Sequence, residues 1–158
     1  MLNHSVIRDI LPHGHPIALV DAVDELIPYE RVVARKAISG CEPCYSGLTA
    51  GLSQAALAYP RPLLLESFGQ SGAVLWLESM RRDKVEFTGQ LIFAALRNMR
   101  FHRLVYPGDT VQHTVRVDHI VGDNVFVSGE TVIGEEPVMT VGEAIVSIRP
   151  LVESADSC

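Results

Sequence analysis

Glu66 and Gln70 lie four residues apart in an otherwise largely apolar run, PLLLESFGQSGAVLWLESM, Pro62–Met80. On a helix that spacing puts both side chains on one face. A carboxylate in such a run is costly to bury unless it is paired, and burial disfavours its ionised form. That is the environment of a general acid or base. A glutamate at the edge of a core, satisfied by a neighbour, has the same signature. Cys41-Glu-Pro-Cys44 has the spacing of a redox or zinc pair. A structural zinc site needs two more ligands, and no second C-x-x-C or H-x-x-x-H is present. His13 and His15 flank Gly14 between two prolines, where either could be a base or serve a local hydrogen bond. His102, His113 and His119 fall in expected strands and read as structural. Arg81, Arg82, Lys84, Arg97, Arg100 and Arg103 are six of thirteen basic residues. They form either a solvated face or a surface for an anionic partner.

The elements that must position these residues follow from hydrophobic pattern and punctuation. Ser5 before Val6, Ile7, Ile10 and Leu11 predicts a short capped helix ending before Pro12. Ile17–Val23 and Arg31–Ser39 are expected strands around the turn Pro28–Glu30. Gly40–Arg61 has no stable period, and an irregular stretch of that length in a compact domain is usually functional or mobile. Pro62 suits a first helical turn, so Pro62–Met80 is a helix apolar nearly all round and therefore buried. Gly69 and Gly72 each cost up to ~1 kcal/mol inside it, which predicts close approach of another backbone or a ligand. Gly89–Phe101, Thr110–Val121, Asn124–Ile133 and Val138–Ile148 are expected strands separated by turns. Strands, one helix, then antiparallel hairpins make an α+β fold rather than a βαβ repeat.

Composition bounds the class. The chain has 158 residues, 47% hydrophobic and 20% charged, with a net charge of −6. One domain is expected over 1–150, followed by a flexible tail, 151–158. The apolar content excludes disorder, no apolar run approaches the ~18–20 residues that span a bilayer, and the acidic balance argues against nucleic acid. The first nine residues lack the layout of a signal peptide, and three cysteines make no disulfide framework. A cytoplasmic, reducing location is therefore expected, with no metal and no cofactor.

Four segments in order carry a resemblance: Leu11–Asp21 (LPHGHPIALVD), Glu42-Pro43, Leu65–Gly72 (LESFGQSG) and Arg97–Asp109 (RNMRFHRLVYPGD). Together they resemble the bacterial 3-hydroxyacyl-[acyl carrier protein] dehydratases of the hot-dog fold, over about residues 5–150. The resemblance implies a long central helix wrapped by an antiparallel β-sheet, edge-to-edge dimers and an acyl tunnel at the subunit boundary. It makes Glu66 the active-site carboxylate and Gln70 its companion. His13 matches the histidine of the Leu-Pro-His segment, which is not the catalytic one.

One departure stands out. In the family, Glu-Pro is followed by an aromatic pair and Gly-His-Phe-Pro-Gly, whose histidine is the catalytic base. Here the run is Glu42–Gly51 (EPCYSGLTAG), with Leu48 at the histidine's place and no histidine anywhere in Gly40–Pro62. Leucine cannot move a proton. The resemblance therefore implies a divergent member acting as a heterodimer, in fatty-acid or polyketide biosynthesis. Glu66 would complete a site whose histidine comes from a paralogue. A thioesterase using Glu66 alone, or a non-catalytic scaffold subunit binding the acyl chain or acyl carrier protein, are the alternatives in function, and a homodimer is the alternative in assembly. Leu48, His13 and Phe68 are expected along the path of the phosphopantetheine-linked acyl chain. Arg81, Arg82 and Lys84 are expected to meet the acidic carrier protein.

Overall fold

The computed structural model describes residues 1–86 and 89–150; the tail expected over 151–158 lies outside them. Helix α1 spans His4–Ile10, strands β1 and β2 span Ala22–Ile27 and Arg31–Ala37, and helix α2 spans Arg61–Arg82. Strands β3 to β6 follow as Gly89–Phe101, Thr110–Val121, Asn124–Ile133 and Glu136–Pro150. All pairings are antiparallel, in the order β1-β2-β4-β5-β6-β3. The long helix lies against this sheet, the hot-dog arrangement. Among the described residues no helix is long and apolar enough to cross a membrane.

Sequence and structure agree on α2 because its burial is nearly all round. No residue from Leu63 to Met80 is exposed, and Leu64, Ser67, Phe68, Ser71, Val74, Leu75, Glu78 and Ser79 form its most buried stripe. Ser71 and Ser79 donate their hydroxyls back to the carbonyls of Ser67 and Leu75, so small polar residues lie against the sheet without orphaned groups. Gly69 fulfils the expectation of close approach, but what approaches is a side chain: a Cβ there would collide with the Phe93 ring of β3. Strand β4 keeps the expected alternation, with Val111, His113 and Val115 all buried. Gly122, at φ 56°, makes the turn from β4 to β5.

Several boundaries differ from the expected ones, and three of the shifts have a visible cause. The cap of α1 is Asn3, whose side chain accepts from the Val6 N–H, so Ser5 lies inside the helix. Strand β1 begins at Ala22 rather than at Ile17. The backbone groups of Ile17 and Leu19 are engaged by side chains of α2, which removes the need for a neighbouring strand. Strand β6 begins at Glu136, because the turn after Ile133 is tight and Val132 pairs with Pro137 across a bulge.

A buried carboxylate that sequence reading passed over lies near the end of α2. Glu78 is bonded by Arg81 at 2.7 Å and by Arg82 at 3.0 Å. The Arg81 hydrogen bond holds its carboxyl below the usual carboxylate range, opposed by burial and reinforced by Arg82. A depressed pKa stabilises the fold at neutral pH, and that contribution disappears as pH falls through the folded-state value. Glu78→Gln is accordingly expected to lower stability by about 1–2 kcal/mol at pH 7. The deficit should shrink below the ordinary carboxyl value of 4.5, as urea unfolding at pH 7 and pH 4 would reveal.

Candidate active site

The segment Pro12–Asp21 crosses one face of α2 and is pinned there by two side chains. Gln70 is buried, and its carboxamide is fully used. Its Oε1 accepts from Leu19 N–H at 2.8 Å, while its Nε2 donates to Ile17 C=O at 2.7 Å and to Glu66 Oε1 at 2.9 Å. Ser67 donates to Leu19 C=O at 2.6 Å. The hydroxyl of Ser67 is 2.9 Å from His113 Nε2, and His113 Nδ1 is 2.8 Å from Thr131 Oγ1. Burial pushes the His113 imidazole down to about 3, so the ring is neutral. Since Ser67 spends its proton on Leu19, His113 donates through Nε2 and accepts at Nδ1 from Thr131. One polar chain thus runs from β5 through β4 and α2 to the segment that carries His13.

Glu66 is therefore held rather than buried. Its side chain is 35% exposed, and His13 Nε2 lies 3.8 Å from its Oε1. Both line the mouth of an apolar cavity of about 300 Å³. Its walls are Phe68, Gly69, Ala73 and Trp76 of α2, Leu91 to Phe93 of β3, and valines of β4, β5 and β6. Positions 66, 69, 73 and 76 repeat at helical spacing, so one face of α2 floors the whole cavity. A wider groove of about 820 Å³ shares His13, Ala73 and Leu91 with it and runs to Arg81. An apolar slot with one carboxylate, one amide and one imidazole at its entrance can hold a hydrocarbon chain and offer a proton at its polar end.

The expected site residues thus separate. Glu66, Gln70, His13 and Phe68 come together at the cavity, and Arg81 lies on the adjoining groove. Arg82 is committed to Glu78, Lys84 is exposed, and neither lines the cavity or the groove. Leu48 is 45% exposed on the irregular stretch and does not line the cavity of its own chain. The base of that stretch is anchored: buried Lys36 bonds Glu42 at 2.8 Å, and Tyr59 N–H donates to Val105 C=O. Burial, with Cys44 and Glu42 alongside, pushes the Tyr45 phenol up to about 12. Cys41 and Cys44 are free thiols, and burial pushes that of Cys44 up. Of the other basic residues, Arg97 of β3 pairs with Glu143 of β6, and Arg103, just beyond β3, with Glu136. Sequence reading passed over Trp76, Phe93 and the Ser67–His113–Thr131 chain; the sole tryptophan in an apolar helix was the one signal available.

No protein-family model matches the chain. Curated relatives do. The 3-hydroxyacyl-[acyl-carrier-protein] dehydratase FabZ of Symbiobacterium thermophilum is 39% identical over 110 residues, covering 69% of this chain and 71% of the relative. FabZ of Roseiflexus castenholzii is 37% identical over 119 residues, 75% and 77% of the two chains. FabZ of Clostridium kluyveri is 32% identical over 131 residues, 82% and 85%. Among solved structures, the dehydratase heterocomplex ApeI:P from Xenorhabdus doucetiae superposes with a TM-score of 0.74 at 14% identity, covering 91% of this chain and 90% of that one. The E. coli PaaI protein of the phenylacetic acid degradation operon gives 0.56 at 13% identity, over 79% and 80%. Sequence identity carries the family and superposition carries the fold: the chain belongs to the FabZ 3-hydroxyacyl-[acyl-carrier-protein] dehydratases and has their hot-dog architecture.

Proposed function

We propose that this chain is the carboxylate-bearing subunit of a two-chain dehydratase acting on 3-hydroxyacyl-carrier-protein thioesters in fatty-acid or polyketide biosynthesis. The observation that carries the reading is an asymmetry. Glu66 is held by Gln70 at the mouth of an apolar cavity, whereas the stretch 40–60 offers Leu48 and no imidazole. In the proposed step an imidazole of the partner chain takes the proton from C2 of the substrate. Glu66 gives its proton to the departing C3 hydroxyl; the C–O bond breaks, and an enoyl thioester and water leave.

Two further features support a partner. Strand β3 has β6 on one side and an open edge on the other, and an unpaired edge is a template for another sheet. The same strand supplies Leu91, Ile92 and Phe93 to the cavity wall, so a chain docked on that edge stands beside the site. The solved ApeI:P dehydratase is itself a heterocomplex. The carrier protein would approach along the groove that ends at Arg81, with Arg82 and Lys84 beyond it. Because Glu78 neutralises part of that charge, Lys84 is the freer cation.

Reconstitution tests the reading. A histidine-bearing paralogue co-expressed with this chain, its own helix carboxylate changed to an amide, is assayed alone and mixed, following the ultraviolet absorbance of the enoyl thioester. Turnover is expected only in the mixture. Thiol release by the isolated chain would indicate a thioesterase instead, and saturable binding of acylated carrier without product would indicate a scaffold.

A further inference from the structure

We propose that His13 is the proton relay that restores the acid form of Glu66 between turnovers. The inference rests on the reading of Glu66 as the acid of a dehydratase. Each dehydration leaves Glu66 as a carboxylate and the C2 proton on the partner chain's imidazole, so before the next one that imidazole must lose its proton and Glu66 must regain one. The cavity wall is otherwise hydrocarbon, glycine, one tryptophan and one carboxamide. Gln70 cannot serve, because an amide does not ionise near neutrality and its N–H groups are committed to Ile17 and Glu66. Among the described residues lining the cavity, His13 is the remaining side chain whose ring nitrogens can both accept and donate a proton.

Its placement suits that role. Nε2 faces Glu66 Oε1 at 3.8 Å, and the side chain is 36% exposed. His13 lines both the cavity and the wider groove, so it stands between the carboxylate and solvent. Its Nδ1 is buried and has no hydrogen-bond partner, so no hydrogen bond fixes the ring in one tautomer. His113 is the contrast, with both nitrogens engaged and the proton confined to Nε2. The gap is longer than a hydrogen bond, and catalytic contacts of this kind close when substrate fills the site. In the transfer the Nε2–H bond breaks and an Oε1–H bond forms; Nδ1 is buried, so the ring regains its proton at Nε2 from water on its exposed side. The charged groups around it are Glu66 and Arg81 of α2 and Asp9 of α1. Strand β3 brings Gly89, Gln90 and Leu91, which carry none.

His13 acts through Glu66, so the decisive measurement separates the first turnover from the later ones. In the assembled complex, His13→Gln is expected to lower steady-state kcat about tenfold or more while the single-turnover rate falls far less. Added imidazole should restore part of kcat in His13→Ala, and circular dichroism checks that both variants are folded. Equal loss in single and multiple turnover would overturn the relay in favour of a purely spatial role. An unchanged kcat would also overturn it. Glu66→Gln tests the underlying reading separately: if the first turnover survives that change, the acid lies elsewhere and the relay falls with it.

Discussion

Glu66→Gln is expected to lower turnover of the assembled dehydratase by about 10²–10⁴-fold, the usual worth of a positioned general acid, with little change in thermal midpoint. The amide has the shape of the carboxyl, and its oxygen can still accept the Gln70 Nε2–H bond that orients the side chain. At 35% exposure the group costs little to leave uncharged. The pinning of Pro12–Asp21 runs through Gln70 and Ser67 rather than through Glu66. What the substitution removes is the transferable proton. Binding of an acylated carrier should therefore persist while enoyl product disappears, a split visible by combining the absorbance assay with calorimetric titration. Undiminished turnover would exclude Glu66 from the chemistry and leave the chain a scaffold.

The second large effect concerns stability and pH. The His113 imidazole is displaced from its ordinary 6.5 to about 3 by burial. Below pH 6.5 the unfolded chain takes up a proton there that the folded chain refuses. Stability is therefore complete above 6.5 and falls by about 1.4 kcal/mol per pH unit from this group alone as pH descends toward 3. At pH 5 the loss amounts to about 2 kcal/mol. His113→Gln removes that proton uptake. It also weakens the links to Ser67 and Thr131, at a cost of about 1–3 kcal/mol at pH 8. The variant is thus less stable than the parent at pH 8, and the difference narrows or reverses at pH 5. Urea midpoints at the two pH values decide; parallel curves would mean that His113 is not held neutral.

These two residues differ in how far the sequence announced them. Glu66 stood out because Gln70 shares its face one turn away in a largely apolar run, whereas Glu78 in the same run is a structural ion-pair partner. His113 was legible only as a structural histidine on an alternating strand. Its partners Ser67 and Thr131 lie 46 and 18 residues away, and no local period encodes contacts at such separations. The same limit explains β1. Ile17–Val23 has the composition of a strand, but the side chains of Gln70 and Ser67 compete successfully for the backbone of residues 17 and 19. The basic cluster also changed meaning, since Arg81, Arg82, Arg97 and Arg103 each face a carboxylate.

By itself the sequence determined the elements whose physics is local. These are the buried helix with its carboxylate, the late hairpins with their turn residues, and the substitution of leucine where the family carries its histidine. Four motifs in order were enough for the fold, because each specifies a short stretch of backbone and their order leaves little topological freedom. Only the tertiary structure decided what surrounds Glu66. It set His13 beside the carboxylate, opened the cavity between one face of α2 and the sheet, and left the β3 edge unpaired. Those features arise where segments distant in the chain pack together, and the energy of packing depends on shape and on satisfied polar groups rather than on spacing along the chain.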